Sequence, residues 1–203
     1  MSPPYLIGLT GNIACGKSTV LRELRRLGAA TLDADLVAHQ VMQPGTPAHA
    51  AIARAFGLGV LGPSGEIDRP ALGATVFDDP TALARLEAIV HPAVLAHTWE
   101  WLAGVTAEVA VIDAIKLIEA GMADRCDEVW VVTCPEGEQV RRLMEYRGLS
   151  HEEALLRIRA QPPQAEKVAR ADVVIDNSGQ PEQVRARVRA AWRAMQRRRQ
   201  AGL

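Results

Sequence analysis

The chain has 203 residues, 48% of them hydrophobic and 23% charged, with a formal net charge of −1. That length suits one large domain or a core carrying an inserted lobe, in ordinary soluble globular composition. The near-zero charge excludes a strong general pull toward nucleic acid or membrane, and no apolar run approaches the roughly 20 residues that span a bilayer.

The opening Met1-Ser2-Pro3-Pro4 lacks the basic start and small-residue cleavage site of a signal peptide. Tyr5–Thr10 is the first of five short apolar runs rich in β-branched residues. The others are Ala29–Asp33, Val109–Asp113, Val129–Thr133 and Val173–Asp176. Several are continuous rather than alternating, which suits strands covered on both faces, as in a parallel sheet. Helical patterns separate them, so the expected fold is α/β, a doubly wound five-stranded parallel sheet.

The first run leads into Gly11-Asn12-Ile13-Ala14-Cys15-Gly16-Lys17-Ser18, which matches G-x-x-x-x-G-K-[ST]. The glycines permit backbone angles and close approach that a Cβ blocks. Successive N–H groups turned inward form a nest for phosphate oxygens, and the helix beyond adds unpaired donors and a positive dipole end. Lys17 is placed to reach the β- and γ-phosphates, and the Ser18 hydroxyl to ligate a Mg²⁺ that bridges them. The nucleotide-binding set is therefore Gly11, Asn12, Ile13, Ala14, Cys15, Gly16, Lys17, Ser18 and Thr19. A place at a helix N-terminus can lower a thiol pKa, so Cys15 is weighed as a reactive group against a small residue that only fills the loop. The helix that follows puts Val20, Leu24 and Leu27 on one face and ends at Gly28.

The second run ends in Asp33-Ala34-Asp35. Residues two apart in an extended chain project to one side, and strand C-termini in such sheets open onto the ligand crevice. A carboxylate there can take a proton from an attacking hydroxyl or hold a magnesium-bound water. Asp35 has a competing use, capping a helix that begins at Leu36, whereas Asp33 sits too early for that. Residues 36–105 read as a helical insertion, a lobe over the sheet edge. Asp68 caps one of its helices with Pro70 in the first turn, and Asp78 or Asp79 caps another. His91-Pro92 is expected to break that last helix, since the residue before proline avoids helical geometry.

The third run, ending at Asp113, has the form of a Walker-B strand with an acid near the metal. After the fourth run, Glu136–Arg147 forms a helix ending at Gly148. Ser150-x-x-Glu153 opens a second as a capping box, and Pro162-Pro163 stops it. This hairpin, 136–167, carries Arg141, Arg142, Arg147, Arg157 and Arg159. A planar guanidinium matches a phosphoryl group in transfer, and a hairpin here would serve as a lid. For Arg142 and Arg147 together that role outweighs a solvated basic face. Arg197–Arg199, near the end of the last helix, suit its dipole. The three cysteines, Cys15, Cys126 and Cys134, form no CxxC and no Cys/His cluster, so they read as reduced thiols of a cytoplasmic protein.

The residues taken in order, "GLTGNIACGKSTV", "LDADLVAHQVMQPGTPA", "IVHP", "RLMEYRGLS" and "ARADVVIDNSG", resemble the dephospho-coenzyme A kinase family over nearly the whole chain. The resemblance implies transfer of the ATP γ-phosphate, with Mg²⁺, to the ribose 3′-hydroxyl of dephospho-CoA, the last step of coenzyme A synthesis. It implies Asp33 as the base, Lys17 and Arg142 in catalysis, Arg142 and Arg147 in the lid, and Asn177 near the adenine. Ser18 would touch the metal through ATP, with Asp35 or Asp113 as further candidates. The P-loop core would be 1–35, 106–135 and 168–203, with an acceptor-binding lobe at 36–105. The partners implied are ATP and dephospho-CoA, with no nucleic acid and no membrane, in a monomer or weak homo-oligomer. Family members usually have glycine where Asn12 and Ala14 stand, and a Pro-Leu-Leu-like turn where this chain reads "AIKLIEAG" after Asp113. Loop and strand alone leave open a kinase for another small acceptor, a nucleotide-dependent switch, or an inactive nucleotide-binding module.

Overall fold

The computed structural model describes residues 3–201. Residues 1–2 of the opening segment and 202–203 of the last core segment lie outside the described residues. By its contacts the chain divides into two compact units, 1–32 with 105–203, and 33–104.

The first unit is built on a five-stranded sheet of order β2-β3-β1-β4-β5. The strands are β1 (Tyr5–Thr10), β2 (Ala30–Asp33), β3 (Val109–Asp113), β4 (Glu128–Thr133) and β5 (Val173–Asp176). β1 pairs in parallel with β3 on one side and β4 on the other, and β4 with β5. Crossovers from β1 run first toward β3 and β2, then back past it to β4 and β5. The loop after β1 is thus the topological switch point, where a parallel sheet opens a crevice. The register sets Leu9 beside Asp113, so the acid that ends β3 lies level with the start of that loop.

Both faces of the central strands are buried, as their continuous apolar runs require. One face, with Ile7, Leu9, Val111, Trp130, Val132 and Ile175, packs with helix α1 (Lys17–Arg26) and the carboxyl-terminal helix, Pro181–Ala201. Trp192 of that helix belongs to this core, and Trp130 is fully buried, its indole N–H donating to Glu128 at 2.7 Å. Arg198 also binds the buried Glu128, from the end of the last helix. This half-exposed cation pairs with a buried carboxylate in addition to suiting the helix dipole.

The second unit is helical: α2 (Ala34–Val41), α3 (Pro47–Phe56), α4 (Arg69–Phe77) and α5 (Pro80–Ala103). Thr46, Asp68 and Asp79 cap α3, α4 and α5 through first-turn N–H groups, with Pro inside each first turn. Two expectations are corrected here. α5 does not break at His91-Pro92 but runs through it for 24 residues. Val90, Val94 and Thr98 recur at four-residue spacing on its buried face, where it packs on α2, α3 and α4. Proline removes one donor, to the Ala88 carbonyl, but both residues are exposed, so the freed carbonyl is open to solvent. Second, α2 begins at Ala34 rather than Leu36, so Asp33 is its N-cap, accepting from Leu36 N at 3.0 Å, and Asp35 lies in the exposed first turn.

No helix among the described residues is long and apolar enough to cross a membrane.

Candidate active site

β1 delivers the chain to Gly11, and the backbone then folds into a loop that ends at Gly16, the residue before α1. Gly16 has φ +87°, and a Cβ there would meet the Asn177 amide nitrogen at 1.9 Å. Gly11 has φ +151°, and a Cβ there would stand 2.3 Å from the Val132 carbonyl oxygen. Glycine is required at both for conformation and for close approach. The amide N–H of Asn177, a buried residue after β5, donates to the Cys15 carbonyl at 2.7 Å and lies 3.4 Å from that of Gly16. Asn177 therefore acts as a strut under the loop, which its place in the sequence gave no reason to expect.

Ala14 has φ +57°, alone among the described non-glycine residues in lying at positive φ. The left-handed region costs an L residue about 1–2 kcal/mol. The strain is held because Ala14 is gripped on two sides. Its carbonyl accepts from the Arg142 guanidinium at 3.1 Å, and its side chain packs with Ile13 against the apolar cluster of Val140, Leu143, Ala154 and Ile158. Ala14→Gly is expected to raise stability by about 0.5–1 kcal/mol, the relief of strain less the lost methyl contact and glycine's greater unfolded entropy. Chemical denaturation checks it, and an unchanged midpoint would mean that the loop carries no strain.

Lys17 opens α1, and its ammonium lies 3.8 Å from an Asp113 carboxylate oxygen, both side chains largely buried. Ser18 and Thr19 follow in the first turn, with the Ser18 side chain exposed. Ser18 stands at the phosphate-binding helix end and Asp113 at an adjoining strand end, while no cluster of three acids, histidines or cysteines occurs among the described residues. One hydroxyl and one carboxylate would fit Mg²⁺, which is held largely by substrate phosphates and water with one or two protein groups. A metal caged wholly by protein would need more. Cys15 is buried, and desolvation pushes its thiol pKa up, outweighing the nearby Lys17 charge. Cys134 is raised to about 11 and Cys126 to about 12, in both chiefly by burial. None of the three is an activated nucleophile.

The hairpin helices are α6 (Glu136–Arg147) and α7 (His151–Arg159), the second opened by the capping box at Ser150 and Glu153. Its arginines divide. Arg141 is taken by Glu138 and Glu145 on its own helix. Arg142 donates to Glu138, to the Ala14 carbonyl and to the Asn177 carbonyl, so it ties α6 to the phosphate loop. Arg147, in the last turn, and Arg157 and Arg159 on α7 are exposed. Hydrogen bonding from Arg141, with the charges of Arg142 and Arg141, overcomes partial burial and brings Glu138 down to about 2. A depressed carboxylate contributes stability above its unfolded pKa and loses it as pH falls through the folded value. Glu138→Gln is therefore expected to destabilise at neutral pH, the difference from the unaltered chain shrinking between about pH 4.5 and 2. Denaturation midpoints across that range would show it, and a gap that stays constant would refute it.

Two residues not singled out in the sequence join the site from α8 (Gln164–Val168) and the turn before it. The Gln161 side-chain oxygen accepts from Ile13 N–H at 2.7 Å. Lys167, almost fully buried, donates to the Ile115 carbonyl at 2.8 Å and to Glu119 at 2.6 Å. Lys167 thereby pins the turn after β3, residues 114–121. Nothing local marks either residue, since each acts across the fold.

A family model described as dephospho-CoA kinase matches residues 5–183. The chain is 52% identical over 190 residues to the dephospho-CoA kinase of Geobacter sulfurreducens, covering 92% of this chain and 96% of that one. Among solved structures, TT1252 from Thermus thermophilus superposes with a TM-score of 0.86 at 39% identity, covering 96% of this chain and 98% of that one. The dephospho-CoA kinase from Campylobacter jejuni gives 0.69 at 27% identity, covering 95% and 97%.

Proposed function

The chain belongs to the dephospho-CoA kinase family, and from that premise we propose how its residues carry the γ-phosphoryl group of ATP to dephospho-CoA, yielding coenzyme A and ADP. The observation that carries the reading is the Gly11–Ser18 loop, set between β1 and α1 with Gly16 in a left-handed turn and Lys17 opening the helix. Backbone N–H groups of the loop and the first turn of α1 hold the phosphate oxygens. Lys17 exchanges its Asp113 partner for the β- and γ-phosphates. Ser18 would hold Mg²⁺ through ATP, with Asp113 or Asp35 as further candidates, and a bound ion would supply positive charge to the transferred group.

Asp33 ends β2, at the carboxyl side of the sheet. It accepts the proton of the ribose 3′-hydroxyl as that oxygen bonds to the γ-phosphorus and the bond to the bridging oxygen breaks, releasing ADP. Arg142 holds the loop in shape, and the exposed Arg147 supplies positive charge to the transferred group. Asn177 supports the loop beneath the nucleotide, with its adenine side close by. The 33–104 unit contributes to holding dephospho-CoA. The enzyme works in the cytoplasm as a monomer or weak homo-oligomer, without nucleic-acid or membrane partners. The test is ADP release from MgATP with dephospho-CoA, with a nucleoside panel, and with neither. Dephospho-CoA-dependent ADP release supports the reading, and an equal rate with a nucleoside would transfer the chain's acceptor to another class.

A further inference from the structure

Three successive residues of the phosphate loop are tied to α6 or to the segment that follows α7. Asn12 donates its side-chain N–H to the Pro162 carbonyl at 3.0 Å, Ile13 donates its backbone N–H to Gln161 at 2.7 Å, and Ala14 accepts from Arg142. The segment is anchored in turn. Gln164 accepts from Cys134 N–H at 3.3 Å, and Lys167 holds the turn after β3. The strap 161–167 thus touches the loops after β1, β3 and β4. Ala14, at φ +57°, lies one residue past the Asn12–Ile13 peptide that Gln161 holds. A strained residue persists only where its surroundings over-determine it.

We propose that Gln161 is a positioning residue for ATP. Resting on the reading that this loop binds the triphosphate, the inference is that the Gln161 carboxamide fixes the Asn12–Ile13 peptide and so keeps Ala14 in the left-handed turn. The loop N–H groups are then aimed at phosphate before nucleotide arrives. Without that acceptor, Ile13 N–H is orphaned, Ala14 relaxes toward ordinary φ, and the nest loses its shape. The effect falls on ATP and spares the acceptor. Glycine has no preference against the left-handed region, so a glycine at position 14 removes the need for the strap. Asn12 adds a second tie on the same strap.

The experiment compares the full chain with Gln161→Leu, Ala14→Gly and the double variant. MgATP affinity is measured by calorimetry, KM for each substrate by ADP release, and folding by thermal melting. Gln161→Leu is expected to weaken MgATP binding about tenfold, the cost of one orphaned donor. KM for dephospho-CoA should stay within about twofold, since the Gln161 side chain bonds the phosphate loop. Ala14→Gly in the same chain should restore most of the lost affinity, a non-additive result that general destabilisation does not give. Should Gln161→Leu not fold, Gln161→Asn, one methylene shorter, takes its place. Unchanged MgATP affinity in a folded Gln161 variant overturns the proposal, as does a loss that Ala14→Gly leaves untouched. Lys17→Ala run alongside separates the two readings. If it loses MgATP while Gln161→Leu does not, the strap fails and the phosphate loop stands, and if neither loses it, both fail.

Discussion

Asp33→Asn is expected to leave a folded protein whose kcat is lower by about 10²–10⁴, the usual share of a positioned general base. The structure makes this substitution informative. The Asp33 side chain also caps α2, accepting from Leu36 N at 3.0 Å, so any change that removes the oxygen damages the helix start as well as the chemistry. Asparagine caps as well as aspartate. It keeps the hydrogen bond and removes only the charge and the proton affinity that the mechanism uses. Asp33→Ala loses both, and should cost about a further 1 kcal/mol of stability. Comparing kcat and melting temperature for the two variants separates the roles. A folded Asp33→Asn protein with full activity would reduce Asp33 to a cap.

The second large effect is expected from Lys17→Ala, a fall of about 10²–10³ in turnover, as for loss of one preorganised group on developing charge. In the structure Lys17 faces Asp113 at 3.8 Å, with 12% and 11% of the two side chains exposed. That contact keeps the ammonium at the loop without sealing it away, since the separation is long for an ion pair. Its removal leaves the Asp113 carboxylate less compensated, at a cost of about 1–3 kcal/mol. The melting temperature should fall with the chain still folded. Lys17→Met, which keeps the packing volume, tests whether the lost turnover follows charge or shape. Binding and turnover of MgATP by either variant equal to those of the unaltered chain would remove the phosphate-loop reading.

Much of the fold was legible because its signals are local. Tyr5–Thr10, Val109–Asp113 and Val173–Asp176 emerge as strands at the expected bounds; the first two are continuous apolar runs buried on both faces, and the third is the sheet edge, with Val174 exposed. The capping box at Ser150, the caps at Asp68 and Asp79 and the stop at Gly148 are each a side chain or glycine meeting a need within four residues. Local rules failed where packing outweighed them. Pro92 opposes a helix by one lost hydrogen bond, yet α5 continues because its apolar face is buried against three neighbours. The local pattern puts the start of α2 at Leu36, two residues late, and so makes Asp33 look too early for a cap.

By itself the sequence determined the strands, the order of elements, the phosphate loop and the family, since each rests on neighbouring residues or a fixed spacing. Only the tertiary structure decided what holds that loop. Arg142, Asn177 and Gln161 lie 128, 162 and 148 residues from the loop groups they bind. It also decided that Ala14 sits at positive φ and that burial keeps Cys15 protonated. These depend on which groups parallel pairing and helix packing bring within hydrogen-bond reach, and on how much water is excluded there. No local pattern of residues encodes either quantity.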